Sequence, residues 1–261
     1  TALPAMLLLA PSKGQTFDPV DPHPAATRPE FLEQSRVLID ALARLDTGDL
    51  AELMQLSPTL ADQTQAKIHA LATEPDEAGA RPALRTFSGE AFRSLDAASL
   101  TAAELQFAQE HLRILSGLYG LLRPLDLIRP HRLEMATRLA VGPAKNLYGF
   151  WGELVTESLN RDLAREETPV VLNLASDEYA RVVQKKRLHA PWLDIHFKEE
   201  SAGRLRSVAI HAKRARGLMA RFILRERITR AADLRAFSDS GYRFRPELSS
   251  EWSWVFARPA T

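Results

Sequence analysis

Pro169-Val-Val-Leu-Asn-Leu-Ala-Ser-Asp-Glu-Tyr179 begins as an apolar run and ends as a polar one. A short Val- and Leu-rich run that starts after a proline and ends at Ser-Asp reads as a buried strand, and its carboxyl end passes into side chains able to hold a ligand. Met6-Leu-Leu-Leu-Ala10 has the same form and ends at Pro11-Ser-Lys-Gly14, a second buried strand feeding a loop. Asp194 to Phe197 and Leu205 to His211 read as further strands. Helices are predicted between them, over about 30–45 and 58–73, the second with Ser57 as N-cap and Pro58 at the first helical position. Thr101-Ala-Ala-Glu104 is a capping box that opens another, with Leu105, Ala108, Leu112 and Leu115 on one face and a stop expected at Ser116-Gly117. A last amphipathic helix is predicted over about 213–227, and the Pro-rich segment from Asp18 to Pro29 as an extended connection. Strands mixed with helices at irregular intervals predict an α/β (mixed α+β) fold with one mixed sheet and surrounding helices. No repeat or Gly/Ser-rich linker divides the chain, so a single compact domain is expected over 6–261, with residues 1–5 an extended start or a foreign remnant.

The 261 residues are 45% hydrophobic and 26% charged, the balance of an ordinary globular protein. The absence of cysteine excludes disulfides, thiolate metal sites and thiol peroxidase chemistry. The opening apolar stretch ends at Ala10, too short for a signal peptide or a membrane span, so a soluble cytoplasmic protein with no membrane partner is expected. Charge is distributed unevenly: residues 181–230 hold fourteen Lys and Arg against four Asp and Glu, while the whole chain has a net charge of only +1. A concentrated basic surface attracts polyanions and phosphorylated ligands.

Three segments are candidates for that chemistry. On the helix expected from Lys213, the side chains of Arg214, Arg221 and Arg225 fall within about 40° of one another with Gly217 on the same side. Lys213-Arg-Ala-Arg-Gly217 then resembles a phosphate-binding helix start, in which Lys213, Arg214 and Arg216 supply charge and Gly217 admits the ligand to the backbone. The competing reading is a solvated helix face. The second segment, His111 to Pro130, resembles a helix-hairpin-helix turning at Gly117 and Gly120, with Arg123, Arg129, Arg132 and Arg138 as a second basic cluster. Here the alternative is a Gly-rich turn packed against the core. The third is the polar end of the opening stretch, where Asn173, Ser176, Glu178 and Tyr179 follow a strand, with Ser176 alternatively a plain N-cap. Lys13 and Thr16, also just after a strand, are placed to meet the same ligand, but the loop lacks Walker A spacing. The seven histidines show no two-ligand helical spacing, so no metal or other cofactor is indicated. His131 and Glu134 form an i,i+3 pair for which acid–base work and a packing role both stand.

Together these stretches resemble the YaaA family of bacterial proteins linked to hydrogen peroxide stress. The similarity rests on Ala80-Arg-Pro-Ala-Leu84, Phe107 through Pro130, Leu147-Tyr-Gly-Phe-Trp-Gly152, Asn173 through Tyr179 and Lys213 through Ile223, and spans the chain from Met6 onward. The resemblance implies a compact α/β domain with a positively charged cleft and a helix-hairpin-helix-like element, DNA binding, and protection partly by keeping unincorporated iron low. Two positions depart from the family pattern: Gln15, rather than lysine, precedes Thr16, and His131 stands where tyrosine is common.

The leading expectation is a sequence-indifferent DNA-binding protein whose Lys13, Arg123, Arg129, Arg132, Lys213, Arg214, Arg216 and Arg221 contact phosphates of duplex or structured DNA. Its rival is an enzyme acting on a nucleotide, a damaged base or another phosphorylated small molecule, with Glu178 as general base and Glu134, Asn173, Ser176 and Tyr179 around it. A third reading has the basic face docking an acidic protein.

Overall fold

A computed structural model describes residues 5–18 and 25–261. The extended start at 1–4 and the centre of the Pro-rich connection, including His23, lie outside the described residues. The strands are β1 (Ala5–Leu9), β2 (Arg81–Pro82), β3 (Leu112–Ser116), β4 (Gly120–Leu122), β5 (Leu127–Ile128), β6 (Val170–Asn173), β7 (Trp192–Ser201), β8 (Arg204–Arg206), β9 (Arg243–Phe244) and β10 (Ser253–Pro259). The α-helices are α1 (Leu32–Ala43), α2 (Thr47–Met54), α3 (Pro58–Thr73), α4 (Ala83–Thr86), α5 (Glu90–Leu95), α6 (Ala102–His111), α7 (Leu147–Trp151), α8 (Leu154–Leu163), α9 (Asp177–Ala180) and α10 (Ala209–Glu226).

One mixed sheet dominates, in the order β4-β3-β1-β6-β7-β10-β9, with β8 pairing onto β7. The five strands β3, β1, β6, β7 and β10 run parallel, and β4, β8 and β9 join antiparallel. Numbered in chain order, the parallel strands lie 2-1-3-4-5, one of the two common orders of open parallel sheets. These strands are central: β3 and β6 are buried at every residue, as strands covered on both faces must be, with the one charged member, Arg113 of β3, paired with Asp162. In β7 the pattern alternates instead, with Leu193, Ile195, Phe197 and Glu199 buried.

Three expectations change. The helix begun by the Thr101 capping box forms with both reciprocal hydrogen bonds but ends at His111, not Ser116. Leu112 to Ser116 becomes β3, because burial beside β1 outweighs the helical continuation. Gly117 and Gly120 therefore close a β-hairpin between β3 and β4, not a helix-hairpin-helix. A Cβ at Gly117 would press on the Leu133 carbonyl, whose carbon would lie 3.1 Å away; Gly120 has φ +75° and the Trp151 ring 2.8 Å from the same point. Both glycines serve close packing at the turn of this hairpin. Finally, the strand expected over 205–211 is the short β8 followed by the start of α10, four residues before Lys213. Lys213 to Gly217 are thus mid-helix, where the amides are committed to the helical ladder.

Candidate functional site

A cleft of about 570 Å³ opens at the carboxyl ends of β1, β3 and β6. There the chain, having placed β3 on one side of β1, crosses to the other side for β6, so the loops diverge and leave a crevice. Each wall is held by local hydrogen bonds. In the loop after β1, Ser12 Oγ accepts from the Ser88 and Gly89 amides, both at 3.1 Å, and donates to the Gly14 carbonyl at 2.6 Å. These bonds staple the loop to the entry of α5. The Gln15 amide clamps the His131 backbone, its Nε2 donating to the carbonyl at 3.0 Å and its Oε1 accepting from the amide at 3.2 Å. After β6, the Asn173 side chain accepts from the Ala175 amide and donates to Asp194, both at 2.9 Å, shaping the turn into α9. Ser176 occupies the N-cap position of α9 but makes no capping hydrogen bond, and it lines the cleft.

The lining carries Lys13, Arg93, Arg132, Lys213 and Arg216 against Glu90, Glu134 and Glu178. Lys13 pairs with Glu134 at 3.1 Å, and Arg93 and Arg214 both bond Glu90 at the rim. Arg216 is different. It is half-buried between Lys213 and the core face of α10 and forms no hydrogen bond or ion pair with the described residues; desolvation lowers its pKa and the nearby Asp177 offsets this in part. A desolvated guanidinium facing a cleft retains its donors for an anion. On the opposite wall, Glu178 Oε2 accepts from the Ala136 amide at 3.2 Å, and Tyr148 donates to the Glu178 carbonyl at 2.6 Å beneath the Arg181 guanidinium. Burial first, then the Glu178 charge, raises the Tyr179 pKa, so its hydroxyl stays protonated in the physiological range. No group of three or more His, Asp or Glu is placed to hold a metal ion among the described residues.

The cleft thus gathers Lys13, Arg132, Lys213, Arg216, Glu134, Ser176, Glu178 and Tyr179 from the sequence-predicted set, with Gly117 in its floor. The other predicted residues lie elsewhere or are committed. Arg129 has a side chain only 5% exposed, which bonds Glu74 and the Ala70 and Ala78 carbonyls. Arg123 pairs with Asp126 at 2.9 Å and bonds the Arg28 carbonyl, beside a different hollow. Arg221 ties α10 to the segment after α5 through the Leu95 and Asp96 carbonyls and Ser99 Oγ. Arg214 and Arg225 meet Glu90 and Glu104, so the Arg stripe of α10 finds its acids on other elements. Asn173 does not line the cleft, and Gly217 is no ligand approach: a Cβ there would press on Ala91 of α5, with the carbonyl carbon 2.7 Å away. Sequence reasoning missed the α5 contribution of Glu90 and Arg93, for which no local motif exists.

An open sheet with parallel strands in 2-1-3-4-5 order and a charged crevice at its crossover defines an α/β protein with a switch-point site. The family model described as "Peroxide stress protein YaaA" matches residues 6–248. Among curated relatives, a UPF0246 protein of Bordetella petrii is 44% identical over 258 residues, covering 98% of this chain and all of the relative. A UPF0246 protein of Acaryochloris marina is 43% identical over 253 residues, 97% of this chain and 99% of its own. One of Francisella tularensis subsp. novicida is 40% identical over 254 residues, 97% of this chain and all of its own. The chain belongs to the peroxide stress protein YaaA family.

Proposed function

We propose that the protein serves peroxide defence by binding a phosphorylated, nucleotide-sized ligand in the switch-point cleft. The observation that carries this reading is the half-buried Arg216, which has no hydrogen bond or ion pair among the described residues and which lines, with Lys213, Arg132 and Lys13, a concavity within the roughly 300–1,000 Å³ that small-molecule sites occupy. The cations hold phosphate, while Glu134, Glu178, Ser176 and Tyr179 meet the polar remainder of the ligand. A second reading keeps the same site but takes the nucleotide as part of a DNA strand. It is favoured by Arg132 in the lining and by the exposed Arg181 immediately after α9. In that case the rim cations follow the backbone, and protection from iron-driven damage acts at the DNA.

Calorimetric titration of purified protein with the four nucleoside 5′-monophosphates, inorganic phosphate and duplex, single-stranded and bubble DNA tests both readings, with Lys213→Ala/Arg216→Ala alongside. Each charge-assisted contact is worth about 1.5–3 kcal/mol, so the double variant should lose roughly a hundredfold or more in affinity for nucleotide. Saturable monophosphate binding lost in the variant supports the small-ligand reading. DNA binding with a steep salt slope, and none of the free monophosphates, moves the assignment to the strand. Undiminished binding by the variant overturns the cleft as the site.

A further inference from the structure

His131 is buried in the wall of the same cleft, 7% exposed, and none of the roles above uses its ring. Two aromatic rings pack against it. Tyr119 stands edge-on to it, with centroids 5.2 Å apart at 90°, and Phe87 lies at 6.3 Å and 81°. Tyr119 is itself fixed, because its hydroxyl accepts from the Arg129 amide at 3.1 Å. The His131 backbone is clamped at both polar atoms by Gln15. Its Nδ1 lies 2.7 Å from the Arg129 carbonyl oxygen. A carbonyl oxygen only accepts, so Nδ1 carries the proton and Nε2 presents a lone pair.

The charge state points the same way. Burial, opposed only in part by the Arg129 carbonyl and assisted by nearby Lys67, lowers the His131 pKa to about 4, so the ring is neutral at physiological pH. Nε2 has no hydrogen-bond partner, yet it is not among the fully enclosed unsatisfied atoms of the described residues, of which the Gln184 side-chain oxygen is the sole case. The open space that His131 borders is the cleft. The cleft is thereby chemically divided. Its cations offer donors, which suit an oxyanion; at His131 it offers an acceptor that only a ligand with an O–H or N–H can satisfy and a fully deprotonated oxyanion cannot.

We propose that His131 Nε2 is a specificity-determining acceptor that selects, among phosphorylated ligands, those carrying an alcohol O–H or an amino N–H beside the phosphate. This inference rests on the phosphate-binding reading of the cleft, and it narrows the ligand from any small oxyanion to a phosphorylated alcohol or nucleotide. A site built around a fixed acceptor discriminates against ligands that leave it unpaired more strongly than an apolar wall discriminates by fit.

The test uses full-length protein labelled with ¹⁵N-histidine, inorganic phosphate and the four nucleoside 5′-monophosphates. In the free protein at neutral pH, the His131 imidazole should show a protonated Nδ1 and a bare Nε2. A monophosphate should shift the Nε2 resonance in the direction of hydrogen-bond acceptance, and sulfate, an oxyanion that carries no proton at this pH and is titrated alongside, should not. His131→Asn keeps a donor for the Arg129 carbonyl but has nothing at the Nε2 position. It should weaken monophosphate binding about tenfold, the worth of one hydrogen bond of about 1.4 kcal/mol, and leave sulfate affinity within about twofold. Monophosphate binding that requires Arg216 but leaves Nε2 unmoved overturns this inference while the cleft assignment stands. Absence of binding by phosphate and by every monophosphate removes the cleft assignment and this inference with it. A protonated Nε2 in the free protein overturns the inference whatever binds and whether or not the variant folds.

Discussion

Gly217→Ala should destabilise the protein, although alanine in a helix interior is ordinarily better than glycine by about 1 kcal/mol. Gly217 lies mid-helix in α10, buried against α5. A Cβ at this position would lie 2.7 Å from the carbonyl carbon and 2.9 Å from the Cα of Ala91, and closer still to the Ala91 oxygen. These are backbone atoms, so no rotamer change relieves the clash; the two helices must separate by roughly an ångström, a forced repacking in the upper part of the usual range for overpacking, about 2–3 kcal/mol. Subtracting the propensity gain leaves a net loss of about 1–2 kcal/mol. For a chain of this size that is a fall in Tm of roughly 2–8 °C. Urea unfolding followed by far-UV circular dichroism, with wild type and variant at one m-value, measures it directly. Because α5 carries Glu90, Ala91, Phe92 and Arg93 into the cleft wall, separating the helices should also weaken ligand binding. A variant as stable as wild type, or more so, would refute the close packing of α10 on α5 and return Gly217 to an open surface.

Other outcomes are as specific. Arg129→Ala, which removes a buried guanidinium bonded to two carbonyls and Glu74, should cost about 3 kcal/mol in urea unfolding, while Arg132→Ala should cost under about 0.5 kcal/mol and act on phosphate affinity instead. The His131 pKa in the folded protein is about 4 against an ordinary 6.5, so the unfolded chain binds the proton first as pH falls. The stability this confers is whole above pH 6.5 and is lost as pH falls toward 4, in all about 3 kcal/mol. His131→Asn should abolish that slope between about pH 6.5 and 5, above the range in which carboxylates protonate, and a slope unchanged in the variant would place it in other groups. Tyr119, raised to about 12 chiefly by burial, acts at the other end: stability is whole below pH 10 and should decline as pH rises toward 12, which Tyr119→Phe should suppress. Thr101→Ala breaks the reciprocal capping box of α6 and should lower stability by about 1 kcal/mol.

The elements legible in the sequence are those set by neighbours along the chain. The Ser57 cap with Pro58 places α3 at its observed start, and the Thr101–Glu104 box does the same for α6. The apolar runs at Met6 and Val170 became β1 and β6 because a run buried on both faces has a signature of its own. Where two conformations competed for one stretch, local reading chose the wrong one. Leu112 and Leu115 fit the helical face of α6 as well as they fit a strand, and pairing with β1, more than a hundred residues away, made the choice. The α2 helix went unread although Asp46 caps it, because the segment is short, carries Gly48 in its first turn and buries only Leu50.

The sequence by itself determined the class of fold, the two strands and the polar loop of the crossover, and an excess of cations on one stretch; these follow from periodicity, capping and composition, which act over a few residues. Tertiary structure alone decided which cations are free. Arg129, Arg214, Arg221 and Arg225 look alike in sequence to Arg132 and Arg216, yet the first four find Glu74, Glu90, backbone carbonyls and Glu104 on distant elements. An ion pair or a close helix crossing depends on which surfaces the sheet order brings within a few ångströms of each other, and in this chain the ion pair of Arg161 with Glu30 joins residues 131 positions apart.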